Sequence, residues 1–208
     1  VLTGSSSHNS AAERQFRYPT EYGGQKPPTA QWTVTGAGVA IIAASTNGKG
    51  TYPRVESATI GKVVDMGLKD PFNMGGAMAP AAVDTIMTHL KDTGRDFSYY
   101  DLIITGDLGE VGRSTALDLL RQQGLHINDE TFQDCGLKIY RKEQSEVQAG
   151  ASGAASSSTV IYGHLLKQMK QGVYKRILCV ATGALLSPLT VQQNESIPCI
   201  AHAVSIEI

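Results

Sequence analysis

The chain has 208 residues, of which 41% are hydrophobic, and its formal net charge at pH 7 is −1. These totals exclude a disordered chain and predict one folded domain, or one domain and a piece of another. Lysine and arginine form no block and the sequence pI is about 6.6, so a nucleic-acid-binding protein is excluded as well.

The first 50 residues predict a strand, a long loop and a second strand. The opening VLTGSSS is typical of the end of a buried strand, so we expect further sequence upstream of Val1. Residues 13–31 carry three prolines and a Gly-Gly pair without a sustained period, which predicts an irregular excursion. Loops of that length are uncommon unless they are functional. Residues 32–45 predict a strand covered on both faces, and TNGKG predicts a turn.

The rest of the chain alternates predicted strands and helices. A strand candidate ends at GKVVDMG, and apolar residues then recur at helical spacing over residues 82–90, with Pro80 near the first turn and Gly94 beyond the end. YDLIITGD predicts a buried strand, and residues 114–123 and 156–171 predict helices. KRILCVATG and IAHAVSIEI predict two closing strands without a helix pattern between them. This order predicts a mainly parallel, mixed sheet with helices on its faces.

The sequence predicts neither a membrane span nor a metal site. Its apolar runs fall short of the roughly 20 residues that cross a bilayer, and no signal peptide opens it, so any membrane association is expected to be peripheral. Cys135, Cys179 and Cys199 lie far apart without a C-x-x-C pair, which favours a reducing compartment and argues against structural zinc. We expect no metal and no cofactor.

Five histidines show neither metal-ligand spacing nor a nucleophile motif. We expect His89, His126 and His164 to be solvated or partly exposed. His202 is expected to be a hydrogen-bonded structural residue. His8 follows a predicted strand and is a candidate to approach a pocket.

A glycine- and serine-rich segment, QAGASGAASSS over residues 148–158, leads directly into a helical apolar period. A loop of this kind at a helix start exposes N–H donors that, with the helix dipole, favour a carboxylate, a phosphate or an oxyanion. The alternative is serine capping with tight packing of small residues against a sheet.

Polar residues follow two of the predicted strands. Asp107 ends an apolar strand in IITGDLGEVG, and open α/β sheets place ligand groups at the carboxyl ends of their strands. An ordinary loop turn is the alternative for Asp107. Glu195 and Ser196, in the loop VQQNES between the last two strands, could reach the same end of the sheet.

Two arginines in the long loop are candidates to bind an anion. Arg14 and Arg17 flank Phe16, and a guanidinium fork can bind a planar carboxylate in bidentate fashion. The alternative is a pair of loop-anchoring salt bridges with Glu13 or Glu21.

Three segments together resemble the stage V sporulation protein AD family, namely AERQFRYPTEYGGQKPPTAQWTVTG, YDLIITGDLG and ATGALLSPLTVQQNESIPCIAHAVSIE. The resemblance runs through nearly the whole chain. It implies an α/β, thiolase-like fold, in which two βαβαββ halves pack about a pseudo-twofold axis with a cavity between them. Residues 1–50, with the loop over residues 13–31, would close the N-terminal half. Residues 51–208 would form a complete C-terminal half with a mixed five-stranded sheet.

The resemblance also implies that this half lacks the catalytic set of thiolases. The thiolase motif HPIGASGA corresponds to VQAGASGA here, so Val147 or Gln148 stands in place of the histidine. The second thiolase cysteine falls near Glu195 or Ser196. The segment of the nucleophilic cysteine would precede Val1, and no catalytic residue is expected within the chain.

The implied function is non-catalytic binding of dipicolinic acid (pyridine-2,6-dicarboxylate) or its calcium chelate, supporting uptake into the forespore and release in germination. The implied location is peripheral on the forespore inner membrane, beside integral membrane SpoVA proteins, with a homodimer as the assembly. An acyltransferase with its cysteine upstream, and an interaction scaffold with a vestigial site, are the alternatives. The candidate ligand-binding residues are His8, Arg14, Arg17, Asp107, Gln148, Gly150, Ser152, Gly153, Glu195 and Ser196.

Overall fold

The computed structural model describes residues 1–11, 27–44, 52–125, 127–141 and 143–208. Most of the predicted long loop and the predicted TNGKG turn lie outside the described residues. The strands, in chain order, are β1 (Leu2–Ser7), β2 (Trp32–Thr33), β3 (Gly36–Ile41), β4 (Arg54–Ile60), β5 (Leu102–Thr105), β6 (Phe132–Asp134), β7 (Ala151–Ser152), β8 (Arg176–Ala184) and β9 (Cys199–Glu207).

A five-stranded mixed sheet with the order β4-β9-β8-β5-β6 forms the centre of the structure. Strand β5 runs parallel to both β6 and β8, whereas β9 runs antiparallel to both β8 and β4. The α/β class and the mixed five-stranded sheet are therefore confirmed. Strand β6 was not predicted, because its three residues are too few to show a period.

Helices cover both faces of this sheet. They are α1 (Met74–Thr93), α2 (Gly109–Gln122), α3 (Ala154–Val160), α4 (Leu166–Lys170) and α5 (Pro188–Gln192). A π-helical turn over Ile161–Leu165 joins α3 to α4. The short α5 lies between the last two strands, where no helix was expected; it begins with a capping box between Ser187 and Thr190.

Side-chain alternation along the central strands builds two cores. Ile103 and Leu178 pack with α1 and α2 on one face of the sheet. Leu102, Ile104 and Ile177 point to the other face and pack with α3 and α4. All five side chains are at most 1% exposed, as expected of central strands covered by helices on both sides.

Helix α1 begins well before the predicted start. The side chain of Asn73 caps it by accepting a hydrogen bond of 3.1 Å from the Gly76 N–H, so Pro80 lies inside the helix rather than in its first turn. The first turns of the helix consist largely of small residues without a clear apolar periodicity, so the sequence did not predict them. Gly94 ends the helix in the left-handed conformation (φ 65°), as predicted.

Residues 32–45 were predicted to form a strand buried on both faces, and this prediction was wrong. The segment forms two short strands, and β3 pairs with β1 as an antiparallel two-stranded ribbon outside the main sheet. Val39 and Ile41 are 58% and 82% exposed, and Leu2 on β1 is 71% exposed, so neither strand is covered on both faces in this chain. The strand expected to end at GKVVDMG also ends earlier, at Ile60.

His89 is buried, which contradicts the prediction that it is solvated. Its Nδ1 lies 2.8 Å from Thr59 Oγ1 and its Nε2 lies 2.7 Å from the Tyr100 hydroxyl. Arg95 Nη1 also donates to that hydroxyl, at 3.1 Å. Burial, and secondarily the Arg95 charge, lower the pKa of His89.

His164 and His202 follow expectation. His164 is exposed, and His202 accepts a hydrogen bond of 3.1 Å from the Gly61 N–H through Nδ1. His126 lies outside the described residues.

Candidate ligand-binding site

A cavity of about 420 Å³ opens at the carboxyl ends of β5 and β8. This volume falls within the range of small-molecule sites. One wall comes from Gly106 and Asp107 after β5 and from the end of β8, and the start of α3 lies opposite. The described lining residues are Ser6, Ser7, Thr33, Met74, Met78, Gly106, Asp107, Gly153, Ala154, Ser157, Thr182, Gly183, Ala184 and Leu186.

Asp107 joins the two sides of the cavity. Its Oδ2 accepts a hydrogen bond of 2.9 Å from the Gly153 N–H, and its Oδ1 accepts one of 2.9 Å from the Thr182 hydroxyl. The Asp107 N–H donates back to Thr182 Oγ1 at 3.3 Å. The carboxylate therefore fixes the glycine loop to the end of β8. The sequence thus correctly placed Asp107 at the end of a buried strand and Gly153 at the start of a helix, while their role as ligand-binding residues stays a prediction.

The N–H groups of Gly153, Ala155 and Ser156, at the start of α3, are bound within the protein. Ser7 Oγ accepts from the Ala155 N–H at 3.2 Å and donates to the Val34 carbonyl at 2.7 Å. The Ser156 N–H donates to the Gly153 carbonyl at 2.9 Å. The capping and packing alternative therefore describes these donors. A ligand in the cavity meets hydroxyl groups more than free backbone donors.

Three further candidates in the glycine loop lie outside the cavity lining. Gln148 is exposed, with φ 54°, and donates through Nε2 to the Ser145 carbonyl at 3.0 Å. Gly150 and Ser152 are buried; the Gly150 carbonyl accepts from the Trp32 N–H at 2.8 Å, and Ser152 pairs with β2. Their main-chain bonds fix the loop.

Glu195, Ser196 and His8 are not among the residues that line the cavity. Glu195 is exposed, and Ser196 Oγ donates to Asp65 Oδ2 at 2.5 Å, a bond that lowers the pKa of Asp65. His8 is exposed and directly follows Ser7 at the end of β1. Arg14 and Arg17 lie outside the described residues.

A buried carboxylate, Asp134, supports the turn that carries Asp107. Its Oδ2 accepts from the Thr105 hydroxyl at 2.6 Å and from the Leu108 N–H at 2.8 Å, and its Oδ1 accepts from the Gly109 N–H at 3.1 Å. Asp134 is 1% exposed. Burial, opposed by these hydrogen bonds and reinforced by the Asp107 charge, raises the pKa of Asp134 to about 6.

The family of the chain follows from comparison with known proteins. The family model of Stage V sporulation protein AD (SpoVAD) matches residues 1–207. The chain belongs to this family. Stage V sporulation protein AD of Bacillus subtilis (strain 168) is 53% identical over 207 residues, which cover 100% of this chain and 60% of that protein. The chain therefore spans about 60% of the length of that SpoVAD relative.

Two solved structures are similar at a low level. The 3-oxoacyl-[acyl-carrier-protein] synthase III from Aquifex aeolicus VF5 is 13% identical, with a TM-score of 0.49 over 85% of this chain and 50% of that chain. An acetyl-CoA acetyltransferase from Syntrophomonas wolfei is 11% identical, with a TM-score of 0.40 over 72% of this chain and 31% of that chain. Similarity at this level does not indicate what this SpoVAD chain does.

The cysteines of this SpoVAD chain do not supply a nucleophile to the cavity. Cys135, Cys179 and Cys199 are buried free thiols, and none of them lines the cavity. Burial raises the pKa of Cys179 to about 12 and of Cys199 to about 11, and it also raises the pKa of Cys135. All three thiols are therefore protonated at neutral pH and unreactive.

Several residues that shape the SpoVAD cavity were missed from the sequence. Thr182 follows the buried run of β8, so the strand-end rule that selected Asp107 could have found it. Ser7 and Asp134 gave no such signal, because their partners lie far away in the chain: Ser7 bonds to Ala155, and Asp134 to the Leu108 and Gly109 N–H groups.

The structure adds one observation on membranes. Among the residues that it describes, no helix is both long and apolar enough to cross a bilayer.

Proposed function

We propose that this chain provides a binding site for dipicolinic acid or its calcium chelate, within a sporulation protein that supports uptake of this ligand into the forespore and its release in germination. The observation that carries the proposal is the cavity at the carboxyl ends of β5 and β8. Membership of the SpoVAD family supports the sporulation setting. The proposal includes no chemical reaction.

The walls of the cavity suit a flat ring with polar groups at its edge. Met74, Met78 and Leu186 provide apolar surface that can pack against a ring. Ser6 and Ser157 offer hydroxyl groups that can both donate and accept hydrogen bonds, whereas the Ser7 and Thr182 hydroxyls already donate within the protein and can only accept. A pyridine ring with two carboxylates presents both kinds of surface.

The charge of the cavity lining favours the calcium chelate of dipicolinic acid over the free dianion. Among the described lining residues, Asp107 carries the single ionisable side chain, and it is acidic. A free dianion would therefore be repelled unless a positive charge accompanies it. Calcium held in the chelate supplies that charge. Arg14 and Arg17, outside the described residues, are the candidates to supply it for the free acid.

Calorimetric titration of the purified full-length protein with dipicolinate, with calcium and with chelator, tests the proposal. We expect saturable binding of one ligand per chain, and tighter binding when calcium is present. Calcium alone, without dipicolinate, should give no comparable heat. No saturable heat under any of these conditions would refute dipicolinate binding.

Gly183→Leu locates the binding in the cavity. Gly183 lines the cavity, and a Cβ built on it would have a single neighbour within 4 Å, Ile200 Cγ2 at 4.0 Å, so there is room to begin a larger side chain beside the cavity. We expect the affinity to fall by about a hundredfold or more, because the side chain occupies the ligand volume. Ala181→Leu is the matched control, since Ala181 lies two residues earlier in β8, is exposed and does not line the cavity. Equal affinities of the two variants would place the ligand elsewhere.

The acyltransferase alternative predicts a different result. It requires a thiolate from residues upstream of Val1, because the three cysteines described above are buried and protonated. Incubation of the full-length protein with a short acyl-CoA, followed by mass spectrometry, should leave the mass unchanged under the binding proposal. A stable acyl adduct would favour the alternative.

The cellular setting belongs to the same proposal. A ligand that passes through a membrane requires a channel, and the SpoVA integral membrane proteins are the proposed partners at the forespore inner membrane. Peripheral attachment and a homodimer are proposed with it. Co-purification of the SpoVA proteins with the tagged protein from sporulating cells, lost on a mild salt wash, would fit peripheral attachment.

A further inference from the structure

We propose that Gln31 is a positioning residue for the ligand site, which acts on the cavity through Asp107 and the glycine loop without touching the ligand. This inference rests on the proposed function above. It concerns the part of the chain just before β2, which the sequence assigned only to the end of a long loop.

The Gln31 side chain bridges two segments of the cavity wall. Its Nε2 donates to the Asp107 carbonyl at 2.8 Å and to the Ala151 carbonyl at 3.0 Å. Gln31 is 3% exposed, so both carbonyls receive this donor away from solvent. One carboxamide thus ties the turn after β5 to strand β7.

Both the main chain and the side chain of Asp107 are consequently held by hydrogen bonds. Gln31 binds its main-chain oxygen, while Gly153 and Thr182 bind its carboxylate. Because Ala151 lies two residues before Gly153, the same Gln31 nitrogen also fixes the approach of the glycine loop to the Asp107 carboxylate. The position of this amide therefore helps to set the distance between the two walls, together with the hydrogen bond from Gly153 to Asp107.

The surroundings leave the Gln31 amide little freedom. The Ala149 N–H donates to the Ala30 carbonyl at 2.9 Å, and the Trp32 N–H donates to the Gly150 carbonyl at 2.8 Å, on either side of Gln31. A Cβ on Gly109 would lie 2.8 Å from Gln31 Nε2, so a side chain at that position would displace the amide. The amide is thus enclosed by the glycine loop and by the start of α2.

The inference predicts a loss of affinity when the donor is removed. In Gln31→Met the shape is retained and the N–H group is absent, so we expect dipicolinate to bind about tenfold more weakly, as the wall loses its preorganisation. Thr85→Val is the matched control: Thr85 is fully buried and its hydroxyl donates to the Ala201 carbonyl at 3.0 Å, away from the cavity. The control should lower the melting temperature by about 3 °C and leave the affinity unchanged.

Gln31→Glu gives a second readout that a merely structural role would not move. An ionised carboxylate would face two carbonyl oxygens, whereas the protonated acid can donate to one of them. We expect the affinity of this variant, divided by that of the wild type at the same pH, to be lowest near about pH 8 and to recover toward about pH 5. The ratio for Gln31→Met should not change with pH.

The outcomes separate the two proposals. Wild-type affinity in Gln31→Met, or a Gln31→Glu ratio that is constant with pH, would overturn the positioning role and leave the binding proposal intact. Absence of dipicolinate binding by the wild type would overturn both. If Gln31→Met does not fold, the pH series of Gln31→Glu decides the question.

Discussion

Asp134→Ala is expected to lower the free energy of unfolding by about 3 kcal/mol, because it leaves buried donors without an acceptor. The carboxylate accepts from the Leu108 and Gly109 N–H groups and from the Thr105 hydroxyl. Asp134 is 1% exposed, so these donors are shielded from bulk water in the folded protein. Urea unfolding followed by circular dichroism measures the loss.

The same carboxyl gives a pH signature. Its pKa is raised from 3.8 to about 6 in the folded state, so between these values the folded protein binds a proton that the unfolded chain releases. The stabilisation that this proton gives to the folded state is fully present below about pH 3.8 and is lost as the pH rises through about 6. The stability of the wild type minus that of Asp134→Asn should therefore grow by about 2 kcal/mol between about pH 7 and about pH 4.

Asp118→Asn is the control for this series. Asp118 lies on α2, 61% exposed at its side chain, and pairs with Arg121 at 3.0 Å. The change should alter stability by less than about 0.5 kcal/mol at any pH in the range, because exposed ion pairs contribute little. A wild-type minus Asp134→Asn difference that is flat with pH would show that folding does not raise the pKa of Asp134.

The fold could be predicted from the sequence where patterns are local. Buried runs such as that of β5 and the left-handed Gly94 at the end of α1 depend on neighbouring residues alone. His89 carried an overlooked signal: it lies three residues after the buried Ile86 and seven after Ala82, on the apolar stripe of the helix. Its polar side chain led to the opposite prediction because its partners, Thr59 and Tyr100, lie on other elements.

The site was predicted less completely because it depends on contacts between distant residues. The strand-end rule found Asp107, but the glycine loop was taken to have free donors. One of these N–H groups is bound by Asp107, 46 residues earlier, and another by Ser7, 148 residues earlier. Glu195 and Ser196 lie between the correct strands, yet α5 and Asp65 hold them outside the cavity lining.

Gly112→Ala is expected to destabilise the protein by about 3 kcal/mol, because α1 and α2 meet there with main chain against main chain. A Cβ on Gly112 would lie 2.5 Å from the Gly75 carbonyl oxygen and 2.7 Å from its carbon. Backbone atoms of a helix cannot rotate aside as a side chain can, so the helices must separate. Thermal unfolding should show a fall of about 6–12 °C in melting temperature.

Gly163→Ala is the matched control, and this glycine-to-alanine change is expected to stabilise the protein rather than destabilise it. Gly163 lies in the π-helical turn between α3 and α4, is exposed, and has no atom within 4 Å of a Cβ built on it. Alanine there should raise stability by up to about 1 kcal/mol, since it restricts the unfolded chain and meets nothing in the folded one. Equal stability of Gly112→Ala and the wild type would show that the α1–α2 contact relaxes freely.

The Gly112 contact also bears on the ligand. Met74 and Met78, which line the cavity, flank Gly75 on α1, and α2 begins just after Asp107. Separation of the two helices therefore moves the apolar wall away from the Asp107 wall. We expect dipicolinate affinity to fall in Gly112→Ala at a temperature where the variant is still folded, and to be unchanged in Gly163→Ala. The contact between Gly75 and Gly112 would then set the width of the cavity from one side, as Gln31 does from the other.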